Sequence, residues 1–543
     1  MYQNLLVLFL LNALLLGLSF PIQGHLGPAW LALEAVWIVA ALMLATATWR
    51  RWLAALTALA LALLALLAIL DALAQVSLGR AFNPLLDFGL ADSAYHLMAQ
   101  NLGGFPALLI TLGAFAALGL STYLAYLALG RVRGPHLPAG WRIAAGLLLL
   151  SLLAPLLPRV PDVPAWSGRV ATPALDLIAS HWRQVRETRT ALADFQQRLA
   201  DDDTLMARAL PGLEGRDVTL GFIESYGVSA IFDARYAPLI RPRLMDMQQR
   251  LRDAGLHIAT GRLKSPVQGG QSWLAHATLL SGLWLPSQRH YELLLAQRYP
   301  TLIDDFQATG HHALAVMPAI TEPWPEGRQL GYDTILAAKD IDYAGPSLNW
   351  VTMPDQFTWH YFERFRQRFD EPLFSELALI SSHAPWTPIL PVIDDWSALD
   401  NGEIFMRWED SGIAPEELWQ DPQRVREHYA RAVDYALAVM TGYAERYLND
   451  DSLLIVLGDH QPAPLITGPD ASRDVPIHVI SADPKLIAPF IDAGFIAGAI
   501  PRAAPSTRRL DDWRPLLHDL FGEEGIDTQK KEAGFLGEER SAS

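Results

Sequence analysis

The sequence has no cysteine in its 543 residues. That excludes thiol nucleophiles, thiolate metal sites and disulfides. Positive charge is also short: 42 Lys and Arg stand against 58 Asp and Glu, a formal net charge of -16. Such a balance argues against a nucleic-acid partner and against a domain held flat on anionic lipid by charge. No internal repeat is present, and no low-complexity tract apart from the polar tail after Gly525. The first apolar run has no basic residues ahead of it, and the "PIQGHLGP" that follows has no small-x-small cleavage site. It therefore reads as a retained span rather than a signal peptide.

What the chain has in excess is hydrophobic content, 51% overall and concentrated before residue 160. Apolar runs at 5–20, 28–48, 52–76, 106–129 and 143–157 each approach the roughly 17 to 25 residues that a membrane helix needs. Five transmembrane helices are expected. The basic loops "WRRW" and "GRVRGPHLPAGWR" fall on one side only if the N-terminus is cytoplasmic, which puts everything after residue 158 outside the inner membrane, on the periplasmic or extracellular side. Glu34 and Asp71 read as interfacial rather than deeply buried. Residues 77–104, with Arg80, Asp87, Asp92 and His96, are too polar to span and read as helix at the outer surface.

The expected division is a transmembrane domain at 1–158, a connecting amphipathic helical linker at 159–215, a globular domain at 216–512 and a polar tail at 513–543. In the globular part, buried-strand patterns at 217–223, 312–318, 373–382, 452–458 and 475–481 alternate with helical patterns, two of which end at Gly255 and Gly310. That alternation predicts an α/β domain with a mainly parallel sheet sandwiched by helices, whose ligands gather at the carboxyl ends of the strands.

Polar residues stand at those ends. "FIESYG" places Glu224 there, "LGDHQP" places Asp459 and His460, and "SSHAPW" places His383. Oxygen and imidazole donors of this kind suit one divalent ion such as Mn or Zn, with Mg as a further option. A fourth donor is then expected. Ser272, which follows two glycines in "QGGQSWLAH" and opens a helical run, has two readings: an N-cap whose hydroxyl accepts a first-turn amide, or a metal-activated nucleophile at a helix N-terminus. Ser265, Thr278 and Ser281 are the neighbouring hydroxyls that would replace it if the register were wrong. His276 shares the helix face of Ser272 one turn on, as a packing residue or as a tuner of the nucleophile.

The motifs "FIESYG", "QGGQS", "LGYD", "SSHAPW" and "LGDHQP", following five spans, resemble those of the alkaline phosphatase and sulfatase superfamily. Within it the layout is most similar to the lipoteichoic acid synthase-like membrane phosphotransferases. The resemblance implies an alkaline phosphatase-like fold, metal binding by Glu224, Ser272, Asp459 and His460, catalysis by Ser272 and His383, and contact of His383 with the substrate phosphate. It also implies a headgroup pocket at Trp324 and Arg328, although their spacing to the "LGYD" motif is shorter here, and a further metal or substrate contact at His478, whose plain reading is a buried structural histidine. Lipoteichoic acid synthases have threonine where Ser272 stands.

The function so implied is transfer of a phosphoglycerol-type headgroup from a membrane phospholipid to a glycan or lipid acceptor through a phosphoserine. Hydrolysis of a phosphodiester or sulfate ester, phosphoethanolamine transfer, and an inactive membrane scaffold are the alternatives. A formylglycine sulfatase is disfavoured, because "SWLAH" lacks the proline and arginine of that maturation motif. Phosphoethanolamine transferases share the layout but usually carry disulfides.

Overall fold

The computed structural model describes residues 2–18, 28–89, 95, 98–99, 103–132, 169–201 and 206–523. The chain divides into two compact units, residues 1–76 with 80–193, and residues 77–79 with 194–543.

In the first unit the described helices are α1 (Tyr2–Gly17), α2 (Leu33–Leu44), α3 (Ala47–Leu78), α4 (Gly104–Gly130) and α5 (Pro173–Asp201), the last running on into the second unit. Among the described residues α3 and α4 are long and apolar enough to cross a membrane, whereas α1 and α2 are apolar but shorter. The expectation of five spans therefore meets two helices of sufficient length, and the fifth expected span, 143–157, lies outside the described residues. "WRRW" is not a loop but part of α3. The second run is shortened at both ends: Leu31 and Ala32 pair in parallel with Val170 and Ala171 instead of joining α2, and the helix stops where Ala45 turns to an extended conformation. Residues 79–89 form turns rather than helix, held by an Arg80–Asp87 ion pair.

Both acidic residues of the apolar helices bond to α5 or its surroundings. Glu34 Oε1 accepts from the amides of Ala174 and Leu175 at 3.0 and 3.2 Å, at the amide-rich start of α5. Asp71 pairs through Oδ2 with His181 Nε2 at 3.0 Å and through Oδ1 with the amide of Phe82 at 2.9 Å. A buried carboxylate is tolerated only with such partners.

Among its described residues the second unit contains one eight-stranded sheet. Its strands are β1 (Asp217–Ile223), β2 (His257–Lys264), β3 (His312–Met317), β4 (Thr334–Ala337), β5 (Leu373–Leu379), β6 (Ser452–Gly458), β7 (Asp474–Ser481) and β8 (Ile496–Ala497). Their order is β8-β2-β7-β6-β1-β5-β3-β4. The run from β6 to β4 is parallel, whereas β7 is antiparallel to both β6 and β2, and β8 is antiparallel to β2. The central parallel strands are covered on both faces, which is why they read as unbroken apolar runs. The strands absent from the sequence reading are β2, whose "HIATGRLK" is half polar, and the short edge strands β4 and β8.

One apolar layer involves α6 (Ala237–Asp253) and two further helices, Asp355–Arg366 and Pro422–Tyr447. The other involves α7 (Ser272–Ser281), α8 (Leu302–Ala308), and the helices Pro484–Asp492 and Trp513–Phe521. The last of these was expected to be tail, yet Trp513 and Phe521 are buried in the core.

Candidate active site

Parallel pairing brings the key carboxylates together. Ile223 of β1 lies opposite Gly458 of β6, so the next residues, Glu224 and Asp459, leave the sheet side by side. On the other flank Ile223 lies opposite Leu379 of β5, which leads through Ser382 to His383. Space at this edge is tight. A Cβ at Gly458 would stand 1.8 Å from the carbonyl oxygen of Tyr226, so no larger residue fits there. Ser225, beside Glu224, adopts a left-handed backbone with φ 58°, a conformation uncommon outside glycine and concentrated at functional sites.

Glu224, Asp459 and His460 offer ligand atoms that lie within 4.8 Å of one another. His460 Nε2 is 3.4 Å from Glu224 Oε1 and 3.6 Å from Asp459 Oδ2. Ser272 Oγ is 3.2 Å from His460 Nε2 and donates to Glu224 Oε2 at 3.1 Å. Four donors about 2.1 Å from a tetrahedral ion would be separated by roughly 3.4 Å, so these spacings fit a single divalent cation. The remaining atoms are already committed. Asp459 Oδ1 accepts from the amides of Ser225 and His460 at 2.8 and 2.6 Å, and His460 Nδ1 lies 2.9 Å from the carbonyl of Gln461. That second contact makes Nδ1 the protonated nitrogen and leaves the Nε2 lone pair for a metal.

The charges ask for a cation too. Burial alone would raise the Glu224 carboxyl, but the positive fields of His460 and His383 outweigh it and bring it to about 2. Burial, with Glu224 adding to it, pushes Asp459 up to about 6. Burial opposes charge on His460, but Asp459 and Glu224 prevail and raise its pKa. Two carboxylates this close without a cation repel each other, and a bound divalent ion relieves that.

Ser272 is not a cap. It is the first residue of α7, preceded by Gln271 in the left-handed region at φ 65°, and no side chain caps the helix. Its hydroxyl turns away from the first-turn amides toward Glu224 and His460, while those amides and the positive helix end remain beside it. The rival hydroxyls point elsewhere. Ser265 Oγ donates to the carbonyl of Asp459, and Thr278 and Ser281 donate to carbonyls of their own helix.

His383 is half-buried. Its Nδ1 lies 2.5 Å from the carbonyl of Ala384, its ring stacks on Trp350 with centroids 5.9 Å apart, and its field acts on Glu224. Trp324 precedes the short helix α9 (Pro325–Leu330) and faces Tyr332 with ring centroids 6.2 Å apart. Arg328 lies on α9, exposed to solvent, and its side chain makes no ion pair among the described residues. His478 does not join the cluster. It is fully buried mid-strand in β7, with Tyr226 Oη 3.1 Å from Nε2 and Thr260 Oγ1 2.9 Å from Nδ1, so both nitrogens are used. That is the plain reading of His478 as a buried structural histidine: it lies opposite Val456 within the ladder of β7 and β6, not at the edge that carries Glu224 and Asp459.

Several supporting residues escaped the sequence reading. Ser225 Oγ bonds Glu224 Oε1 at 2.8 Å, and Ser382 Oγ holds the carbonyl of Glu224 at 2.6 Å. Glu376, in the middle of β5, binds His276 and Tyr332. A lone glutamate inside the apolar run "LFSELAL" was the available signal, because a buried strand carries a charge only where something pairs with it.

No protein-family model matches the chain, and no curated protein matches it. Solved structures that it is similar to include the lipoteichoic acid synthase of Listeria monocytogenes (13% identity over 53% of this chain and 70% of that one, TM-score 0.35). Others are a protein of the alkaline phosphatase superfamily from Vibrio parahaemolyticus (15%, 62% and 75%, TM-score 0.37) and the Streptococcus pyogenes phosphoglycerol transferase in complex with sn-glycerol-1-phosphate (15%, 54% and 75%, TM-score 0.33).

Proposed function

We propose that this chain is a membrane-anchored phosphotransferase that moves a phosphoglycerol-type headgroup from a phospholipid to a hydroxyl of a glycan or lipid. The observation that carries this reading is the position of the Ser272 hydroxyl, at a helix N-terminus and within 3.2 Å of both a carboxylate and an imidazole of a metal-type donor set. Glu224, Asp459, His460 and Ser272 would hold one divalent ion, Mn or Zn with Mg as a further option. When bound, that ion supplies positive charge for the phosphoryl oxygens and favours the ionised serine.

Ser272 Oγ donates a hydrogen bond to Glu224 Oε2, which leaves an oxygen lone pair free to face phosphorus. The Oγ–P bond forms as the bond to the diacylglycerol oxygen breaks, and the proton lost by Ser272 ends on that oxygen as diacylglycerol leaves. The acceptor hydroxyl then attacks the phosphoseryl group, its O–P bond forming as the Oγ–P bond breaks and its proton ending on Ser272 Oγ. His383 and Arg328 neutralise charge on the transferring group, and the first-turn amides of α7 face the same oxygens. Trp324 lines the headgroup pocket.

In this reading residues 1–158 are the membrane domain with five spans and a cytoplasmic N-terminus, 159–215 the linker, and the globular unit that follows works outside the inner membrane beside its lipid donor. Ser272→Ala is expected to abolish both turnover of labelled phosphatidylglycerol and the trapped seryl adduct. A variant as active as the parent would overturn the assignment. Product analysis with and without glycan acceptors separates transfer from hydrolysis.

A further inference from the structure

Glu376 occupies the centre of β5 between apolar neighbours, with 1% of its side chain exposed. A leucine would fill the same place with no desolvation cost, and burying a carboxylate is unfavourable unless both oxygens are bonded. Here both are. Oε1 lies 2.6 Å from His276 Nδ1, and Oε2 accepts the hydroxyl of Tyr332. Burial, reinforced by Glu376, raises the Tyr332 phenol well above its ordinary pKa, so that hydroxyl stays protonated and is the donor of the pair.

The other end of this chain is His276, one helical turn beyond Ser272 on the same face of α7. Its ring lies flat on Phe222, with centroids 3.7 Å apart and planes 15° apart, and Phe222 is two residues before Glu224. With Nδ1 held by Glu376 and one face covered by Phe222, the ring has little freedom left. Tyr332 is tied in turn to the Trp324 ring beside α9. A continuous set of side chains therefore runs from the α9 turn, through the core of the sheet, to the helix that carries the nucleophile.

We propose that Tyr332, Glu376 and His276 form a positioning chain for the nucleophile, fixing the first turn of α7 on which Ser272 stands. Glu376 orients the imidazole, Tyr332 orients Glu376, and the imidazole, one turn from Ser272 and stacked on Phe222, holds that turn in register while the serine attacks. None of the three needs to touch the substrate, so the chain acts on the rate of the serine step rather than on donor binding. This inference rests on the serine-nucleophile reading above.

The test uses the full-length protein in detergent, with phosphatidylglycerol and the 4-nitrophenyl ester of glycerol phosphate as donors. Tyr332→Phe, which removes a single oxygen, is expected to lower kcat about tenfold for both donors with KM within twofold. Glu376→Gln and His276→Asn are expected to lower it about a hundredfold, again equally for both donors, because the attacking group is affected and not the leaving group. Tyr332→Phe with Glu376→Gln should be no slower than Glu376→Gln alone, the non-additivity of residues acting in series. Bound manganese measured by mass spectrometry and the unfolding temperature of Tyr332→Phe should match the parent.

A Tyr332→Phe protein with parental kcat overturns the proposal, as does a kcat loss that follows lost metal or lost thermal stability, because either outcome leaves only a packing role. Ser272→Ala is run alongside. If Ser272→Ala is inactive while the three chain variants turn over normally, this proposal alone falls; if Ser272→Ala is fully active, the nucleophile reading falls and takes the chain with it.

Discussion

Ser272 Oγ and His460 Nε2 lie 3.2 Å apart although 188 residues separate them in sequence. One stands on the first turn of a helix and the other just past the end of a buried strand. The contact turns a serine that has the local signature of a helix cap into part of a four-donor cluster.

That cluster predicts metal dependence with a definite pH sense. Asp459→Asn and His460→Ala each remove one donor, so Mn affinity measured by titration calorimetry should fall by more than the roughly 10–100-fold typical of outer-shell changes. Binding also needs Asp459 deprotonated, and its acid is raised to about 6. Binding needs His460 neutral as well, and the pKa of that ring is raised above its ordinary value by Asp459 and Glu224. Affinity should therefore already fall as pH drops through neutrality and should weaken by more than about tenfold per unit below pH 6, where both groups take up protons. Affinity unchanged between pH 7 and pH 5 would remove Asp459 from the ligand set.

The glycine at the end of β6 is a steric requirement. Gly458→Ala would place a methyl 1.8 Å from the Tyr226 carbonyl oxygen. The backbones of β1 and β6 must separate, at an expected cost of about 3 kcal/mol or more. The variant should melt well below the parent and bind metal poorly, whereas parental melting would mean that the Glu224 loop yields easily.

A second titration concerns stability rather than chemistry. Asp355 is fully buried, with Oδ1 bonded to the Ser381 amide at 2.8 Å and Oδ2 without a partner. Burial, with a contribution from Glu224, pushes its acid up to about 7 from 3.8. Because the folded-state pKa is raised, the protonated form contributes stability that is complete below about pH 4 and lost as pH rises through about 7. The slope approaches 1.4 kcal/mol per unit. Asp355→Asn should lack that slope, so its melting temperature relative to the parent should improve from pH 4.5 to pH 8. Parallel melting curves across that range would refute this.

In the first unit, Asp71→Ala strips both His181 and the Phe82 amide of their partner. Breaking a buried pair in this way costs about 3–5 kcal/mol. The expected result in detergent is a lower unfolding temperature and faster proteolysis within α5, with Asp71→Asn milder because its oxygen can still accept from Phe82. Equal protease resistance in Asp71→Ala would show that α5 is held by its apolar contacts.

Much of this protein was legible from the sequence because the physics involved is local or periodic. Unbroken apolar runs marked β1, β3, β5, β6 and β7 to within a few residues, since a strand covered on both faces can carry little else. The polar residues that end three of those runs marked Glu224, Asp459, His460 and His383, and glycines before a helical pattern marked Ser272.

What the sequence could not determine depends on position within an element and on distance across the fold. His478 had two readings, a further contact or a buried structural histidine, and only the fold shows it mid-strand in β7 against Tyr226 and Thr260. Spans counted from hydropathy placed "WRRW" in a loop, whereas α3 already begins at Ala47 and carries the motif in its first turns. Glu376 and Tyr332 are 44 residues apart, and only the packing of β5 against α7 and the α9 turn makes them neighbours of the nucleophile's helix. Local sequence determined which groups were available, and the tertiary structure decided which of them share a site, because burial in one place is what makes a carboxylate, an imidazole and a hydroxyl depend on one another.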